Sequence, residues 1–117
     1  MSQQAAVYSV RSASSGTLKR TITSMRNHHM VIDSPSIGEA ITSGEAFLAG
    51  VSSCGVTLIE GAAQELQIPL QRMEVTIEAF RPTEPGVVIY SHVDMGFVLH
   101  GVTREQGEAL LARYKGG

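Results

Sequence analysis

One thiol stands alone among 117 residues: Cys54, in the stretch FLAGVSSCGVTLIEGAA from Phe47 to Ala63. Two chemistries are open to it. A free cysteine in a core behaves as a small hydrophobe, whereas a thiolate kept dry until a substrate arrives is a nucleophile. The nucleophile needs a cation to bring a thiol down from its usual pKa of ~8.5, and no Lys, Arg or His lies within a helical turn of Cys54. That cation must come from another segment or another chain. Glu45 is the carboxylate closest before it, yet on a straight helix nine residues turn it to the opposite side and set it roughly 13 Å away along the axis. The four histidines, His28, His29, His92 and His100, read as surface or edge-strand residues. Neighbours on a strand point to opposite faces, so His28 and His29 cannot easily share one ion. There is no Gly-rich phosphate loop and no paired Cys or His at metal-ligand spacing, so neither a metal nor a cofactor is expected.

The elements that must position these residues are legible in order. Val7 to Ala13 alternates, Ser14-Ser15-Gly16 supplies a turn, and Thr17 to Met25 carries β-branched residues that favour a second strand. His29 to Ile32 reads as a short third strand, and Asp33 to Gly38 as a turn-rich loop. Thr42-Ser43-Gly44-Glu45 fits a capping box, which opens a helix running to about Leu66. Phe47, Val51, Cys54, Leu58 and Ala62 share one face of it, and Leu48, Gly55, Ile59, Ala63 and Leu66 make a second apolar face. A helix apolar over most of its circumference is expected to be buried, and Gly50, Gly55 and Gly61 point to close approach by another element. Leu70 to Phe80 alternates as a strand with one wet face, and Val87 to about His100 reads as its partner, with Gly96 as a candidate bulge. Thr103 to Gln106 is a second capping box, opening a short helix with Leu110, Leu111 and Tyr114 on its apolar side and ending near Lys115 and Gly116. The class is therefore α+β in the order βββ-α-ββ-α.

Composition bounds the rest. A chain of 117 residues fits one domain spanning 1–117. With 43% hydrophobic and 17% charged residues it is globular, and the low charge suggests that a partner subunit covers some surface. A net charge of −2 with nine scattered Lys and Arg leaves no footprint for nucleic acid. The longest apolar stretch is broken by Ser52, Ser53, Thr57 and Glu60, which makes a membrane span a poor reading. A single cysteine makes no internal disulfide, and no apolar run follows a basic start, so a cytoplasmic protein is expected.

Three segments in this order resemble the OsmC/Ohr family, thiol-dependent hydroperoxide reductases and their stress-induced relatives. MRNHHMVIDSPSIGE is similar to that family's strand and acidic-Pro-Gly loop, SGEAFLAGVSSCG to its Pro-x-Glu-x-x-Leu-Ala-Ala-x-x-x-Cys helix, and FVLHGVTREQGEALLARYK to its last strand and helix. The resemblance implies an intertwined homodimer, its sheets wrapping two central helices and its active sites at the subunit interface. It also implies that Cys54 is the peroxidatic thiolate, which attacks a peroxide oxygen and becomes a sulfenic acid. Glu45 matches the glutamate of some branches of the family, with Ser43 where a proline is usual. Arg26 matches the arginine of an Arg-x-His segment, with Arg11 and Arg20 as rivals. The family's second, resolving cysteine would follow RYK, where this sequence reads Gly116-Gly117. Either the resolving step is lost or the sequence stops short of it. Two functions stay open: a reductase of organic hydroperoxides that draws on an external thiol, and a non-catalytic stress or small-molecule-binding dimer with a structural Cys54.

Overall fold

The computed structural model describes residues 4, 5, 7–86 and 89–116. Its elements are β1 (Arg11–Ser14), β2 (Arg20–Met25), β3 (His28–Asp33), α1 (Ser43–Glu65), β4 (Arg72–Phe80), β5 (His92–His100) and α2 (Arg104–Tyr114). This is the expected βββ-α-ββ-α order. The chain divides into two compact units, with the boundary between Ala46 and Phe47.

The first unit is an antiparallel sheet in the order β1-β2-β3. Met25 pairs with His28 across a two-residue turn, Arg26-Asn27, in which both residues have positive φ, 45° and 67°. Positive φ at both central positions is the hairpin geometry that follows the right-handed twist of the strands. β1 is shorter than the expected Val7 to Ala13. It pairs from Arg11 opposite Ser24 to Ser14 opposite Thr21, and β2 turns away after Met25, so residues before Arg11 have little left to pair with. β2 begins at Arg20 rather than Thr17, because the Arg20 amide donates to the Thr17 carbonyl in a turn and Lys19 sits at φ 68°.

The second unit sets the β4-β5 sheet and α2 against α1. β4 alternates as expected, with Met73, Val75, Ile77 and Ala79 half-buried and Arg72, Glu74, Thr76 and Glu78 exposed. Ile59, Ala62 and Ala63 of α1 and Leu110 of α2 form the buried core, and Met73, Phe97, Leu99 and Tyr114 pack against it. Phe97 and Tyr114 meet edge to face with ring centroids 5.6 Å apart, an arrangement aromatic quadrupoles favour.

Four expectations are corrected here. β5 starts at His92, where the Ser91 amide donates to the Phe80 carbonyl and closes the hairpin end; Val87 and Val88 lie outside the described residues. Gly96 is not a bulge, since it pairs with Thr76 in an unbroken register from Arg72–His100 to Phe80–His92. α1 is not buried all round: Phe47 is 64% and Leu58 56% exposed, while Gly55, Ile59, Ala62 and Ala63 are buried. Of Gly50, Gly55 and Gly61, Gly55 alone meets a neighbour among the described residues, the Tyr114 hydroxyl at 3.5 Å from where a Cβ would stand.

Candidate functional site

α1 positions Cys54 through its N-terminal box. The Glu45 amide donates to Thr42 Oγ1 at 3.2 Å, and the Thr42 amide donates to Glu45 Oε1 at 2.9 Å. Two amides that a helix start leaves without partners are thereby satisfied, and from that fixed start the 3.6-residue period sets the stripe on which Cys54 falls. Cys54 is exposed. Its neighbours on the stripe are half-buried Val51 and exposed Phe47 and Leu58, so the thiol lies on a partly uncovered apolar strip rather than in a dry core. The Thr57 hydroxyl donates to the Cys54 carbonyl at 3.2 Å, which ties that face to the helix backbone. By length and composition α1 would pass for a membrane span; in this fold one of its faces packs on the β4-β5 sheet and α2.

The three arginines separate clearly. Arg20 is engaged: Nε donates to Asp33 Oδ1 at 2.6 Å, and one terminal nitrogen donates to Asp33 Oδ2 at 3.0 Å and to Glu39 Oε1 at 2.8 Å. Asp33 has no exposed side-chain surface, and it also accepts from the Glu39 and Ala40 amides. The Arg20 hydrogen bond holds its carboxyl down to about 2, against the burial that would raise it, and the Ala40 amide adds to the effect. An arginine so committed is a strut for the loop into α1 and is not at hand for a thiolate. Sequence reasoning missed this cluster, although the signal was present: a two-residue turn at 26 and 27 sets Arg20 opposite Asp33.

Arg11 and Arg26 have no ion-pair partner among the described residues, and β1 and the β2-β3 turn bring both to one cleft. Arg26 and Cys54 belong to different units. Glu45 spends its carboxylate on the cap. His29 Nδ1 lies 2.7 Å from the Ser24 hydroxyl, and His92 stacks on Phe80 with centroids 4.6 Å apart. Among the described residues no three metal-ligating side chains gather in one place.

No protein-family profile matches the chain, and no curated protein matches its sequence. Solved structures do match its backbone. An OsmC-like protein from Mycoplasma pneumoniae superposes with a TM-score of 0.81 at 12% identity, over 98% of this chain and 82% of that one. An organic hydroperoxide resistance protein OsmC from Legionella pneumophila gives 0.72 at 18% identity, over 96% and 84%. An OsmC-like protein of unknown function from Vibrio cholerae gives 0.70 at 12%, over 96% and 89%. Agreement over nearly the whole chain, with the same order of strands and helices, leaves one assignment: this chain has the fold of the OsmC/Ohr family.

Proposed function

We infer that the protein is an OsmC-like, thiol-dependent reductase of organic hydroperoxides that acts as a homodimer, with Cys54 as its nucleophile. The observation that carries this reading is an exposed thiol in mid-helix, flanked along one stripe by exposed Phe47 and Leu58. Apolar surface of this kind on a small chain calls for a cover, and a second copy offers the same stripe. A thiol closed in between the two copies would meet an apolar peroxide out of bulk water. The Cys54 thiolate attacks the terminal peroxide oxygen, the O–O bond breaks, and the alkoxide leaves and takes a proton to become an alcohol. The sulfenic acid left on Cys54 condenses with one external thiol, releasing water, and a second thiol frees Cys54 as the reductant becomes a disulfide. A cytoplasmic location, where small thiols are kept reduced, would supply that reductant. Arg26 is the arginine we favour to hold the thiolate and the departing alkoxide, since Arg20 is bound to Asp33 and Glu39; Glu45 would hold the arginine in place.

The engaged carboxylate of Glu45 favours one alternative, a binding dimer of the same fold in which Cys54 is structural. Intact mass spectrometry separates the two. With several equivalents of cumene hydroperoxide, Cys54 should gain one oxygen, trappable by dimedone, and then a second, faster than a free cysteine peptide reacts, with neither adduct in Cys54→Ser. Turnover should depend on added thiol, and excess peroxide should inactivate the protein gradually. A wild-type thiol no faster than the peptide would replace the reductase with the binding dimer.

A further inference from the structure

The cleft that gathers Arg11 and Arg26 lies wholly in the first unit. It encloses about 750 Å³ between the segment Val7–Val10 and the end of the β2-β3 hairpin, within the range of about 300–1,000 Å³ typical of small-molecule sites. Its polar lining is rich in donors: the two guanidiniums, the Tyr8 and Ser24 hydroxyls, the Asn27 amide and the His29 ring. No carboxylate stands among the described lining residues, and neither guanidinium is spent on an ion pair among the described residues. The remaining wall is apolar, formed by Val7, Val10 and Met25.

The turn adds an independent observation. Arg26 has φ 45°, a left-handed conformation that costs a side chain with a Cβ and that asparagine or glycine adopts more readily at this turn position. Asn27, at φ 67°, conforms to that preference and Arg26 does not. Backbone strain held in place at a cleft is evidence of use when it is observed rather than assumed. Here it sets Arg26 on the cleft that Arg11 also lines, and two guanidinium charges with no ion-pair partner among the described residues favour an anion there.

The geometry points to a binding site for an amphiphilic oxyanion, a carboxylate or phosphate group carried on a short apolar chain or ring, with Arg11 and Arg26 on the anion and Val7, Val10 and Met25 on the apolar body. The site shares Arg26 with the proposed thiol chemistry but uses neither Cys54 nor Glu45, so anion binding can be read separately from peroxide reactivity at the thiol. Two guanidiniums give charge-assisted bonds to either oxyanion, so the shared chemistry is an oxyanion with an apolar body.

Titration calorimetry on the full chain tests it with octanoate, octyl phosphate, inorganic phosphate and octanol. Octanoate or octyl phosphate should bind, the tighter of the two naming the source, while inorganic phosphate and octanol bind at least about tenfold more weakly. Cys54→Ser should bind as the wild type does. Arg11→Gln should weaken binding about tenfold with its circular dichroism unchanged. Arg26→Asn should weaken it as much while raising the melting temperature, because the turn loses its strained residue. A merely structural Arg26 would not give opposite changes in affinity and stability. Octanol binding as tightly as octanoate, inorganic phosphate as tightly as octyl phosphate, no binding of either amphiphile at millimolar concentration, or unchanged affinity in a folded Arg26→Asn would each overturn the site.

Discussion

Cys54 and Glu45 show how much of a residue's chemistry depends on what its side chain is already doing. Glu45 is the third residue of its helix and bonds the Thr42 amide, a task that any side chain with an oxygen acceptor there can perform. Glutamine keeps that acceptor and loses only the charge at the helix start, an effect of about 0.3–1 kcal/mol. Glu45→Gln should therefore lower stability by no more than about 1 kcal/mol in a denaturant titration. If the carboxylate also holds an arginine at the thiol, the same variant should slow sulfenic acid formation at Cys54. Unchanged peroxide reactivity would confine Glu45 to the cap. Ile59 and Leu110 are completely buried, and truncating either to alanine should cost about 2–5 kcal/mol through the cavity left behind.

At the scale of elements, the loop from Ser34 to Thr42 leads into the cap of α1, and Asp33 is what shapes it. Its carboxylate takes a two-pronged guanidinium and two loop amides, while its own amide donates to the Ile41 carbonyl at 2.8 Å. Folding lowers this carboxyl from 3.8 to about 2. A depressed carboxyl stabilises the fold fully above the unfolded value and loses that contribution as pH falls through the folded one. The contribution is thus whole above about pH 4 and fades toward pH 2. Asp33→Asn should be less stable than wild type at pH 7, measured by urea titration. Its stability should also change less between pH 4 and pH 2, so that the two curves converge in acid. Parallel curves across that window would show that the cluster does not carry the acid sensitivity.

The whole molecule presents a small core and a large uncovered stripe. Among the described residues, Ile59, Ala62, Ala63 and Leu110 are the only buried hydrophobic side chains, whereas Phe47 and Leu58 stand more than half exposed along α1. Leaving such side chains in water forfeits roughly 1.5–3 kcal/mol each that burial would return. The proposed homodimer should therefore run in light scattering at twice the 12.5 kDa of the chain, and Leu58→Glu should shift it toward monomer or unfold it. A stable wild-type monomer at micromolar concentration would remove the dimer and the covered thiol together.

Much of this architecture is written in short-range chemistry. Thr42 with Glu45 and Thr103 with Gln106 are capping boxes in the sequence and in the structure, because their bonds close within one turn of chain. The alternation of β4 is equally local, since a strand's side chains change face at every residue. The order of seven elements follows from such signals. What only the tertiary structure decided is where distant segments meet and which surfaces they cover. The period of α1 marks a stripe holding Phe47, Cys54, Leu58 and Ala62, yet burial belongs to whatever approaches a stripe, and within the chain that approach takes in Ala62 with Ile59 and Ala63 and leaves Phe47, Cys54 and Leu58 exposed. Pairing across the β2-β3 turn gave Arg20 to Asp33 and left Arg11 and Arg26 without an ion-pair partner among the described residues. Period and capping act over one or two turns of backbone, while a salt bridge or a covered thiol depends on contacts between segments that the chain must first fold to bring together.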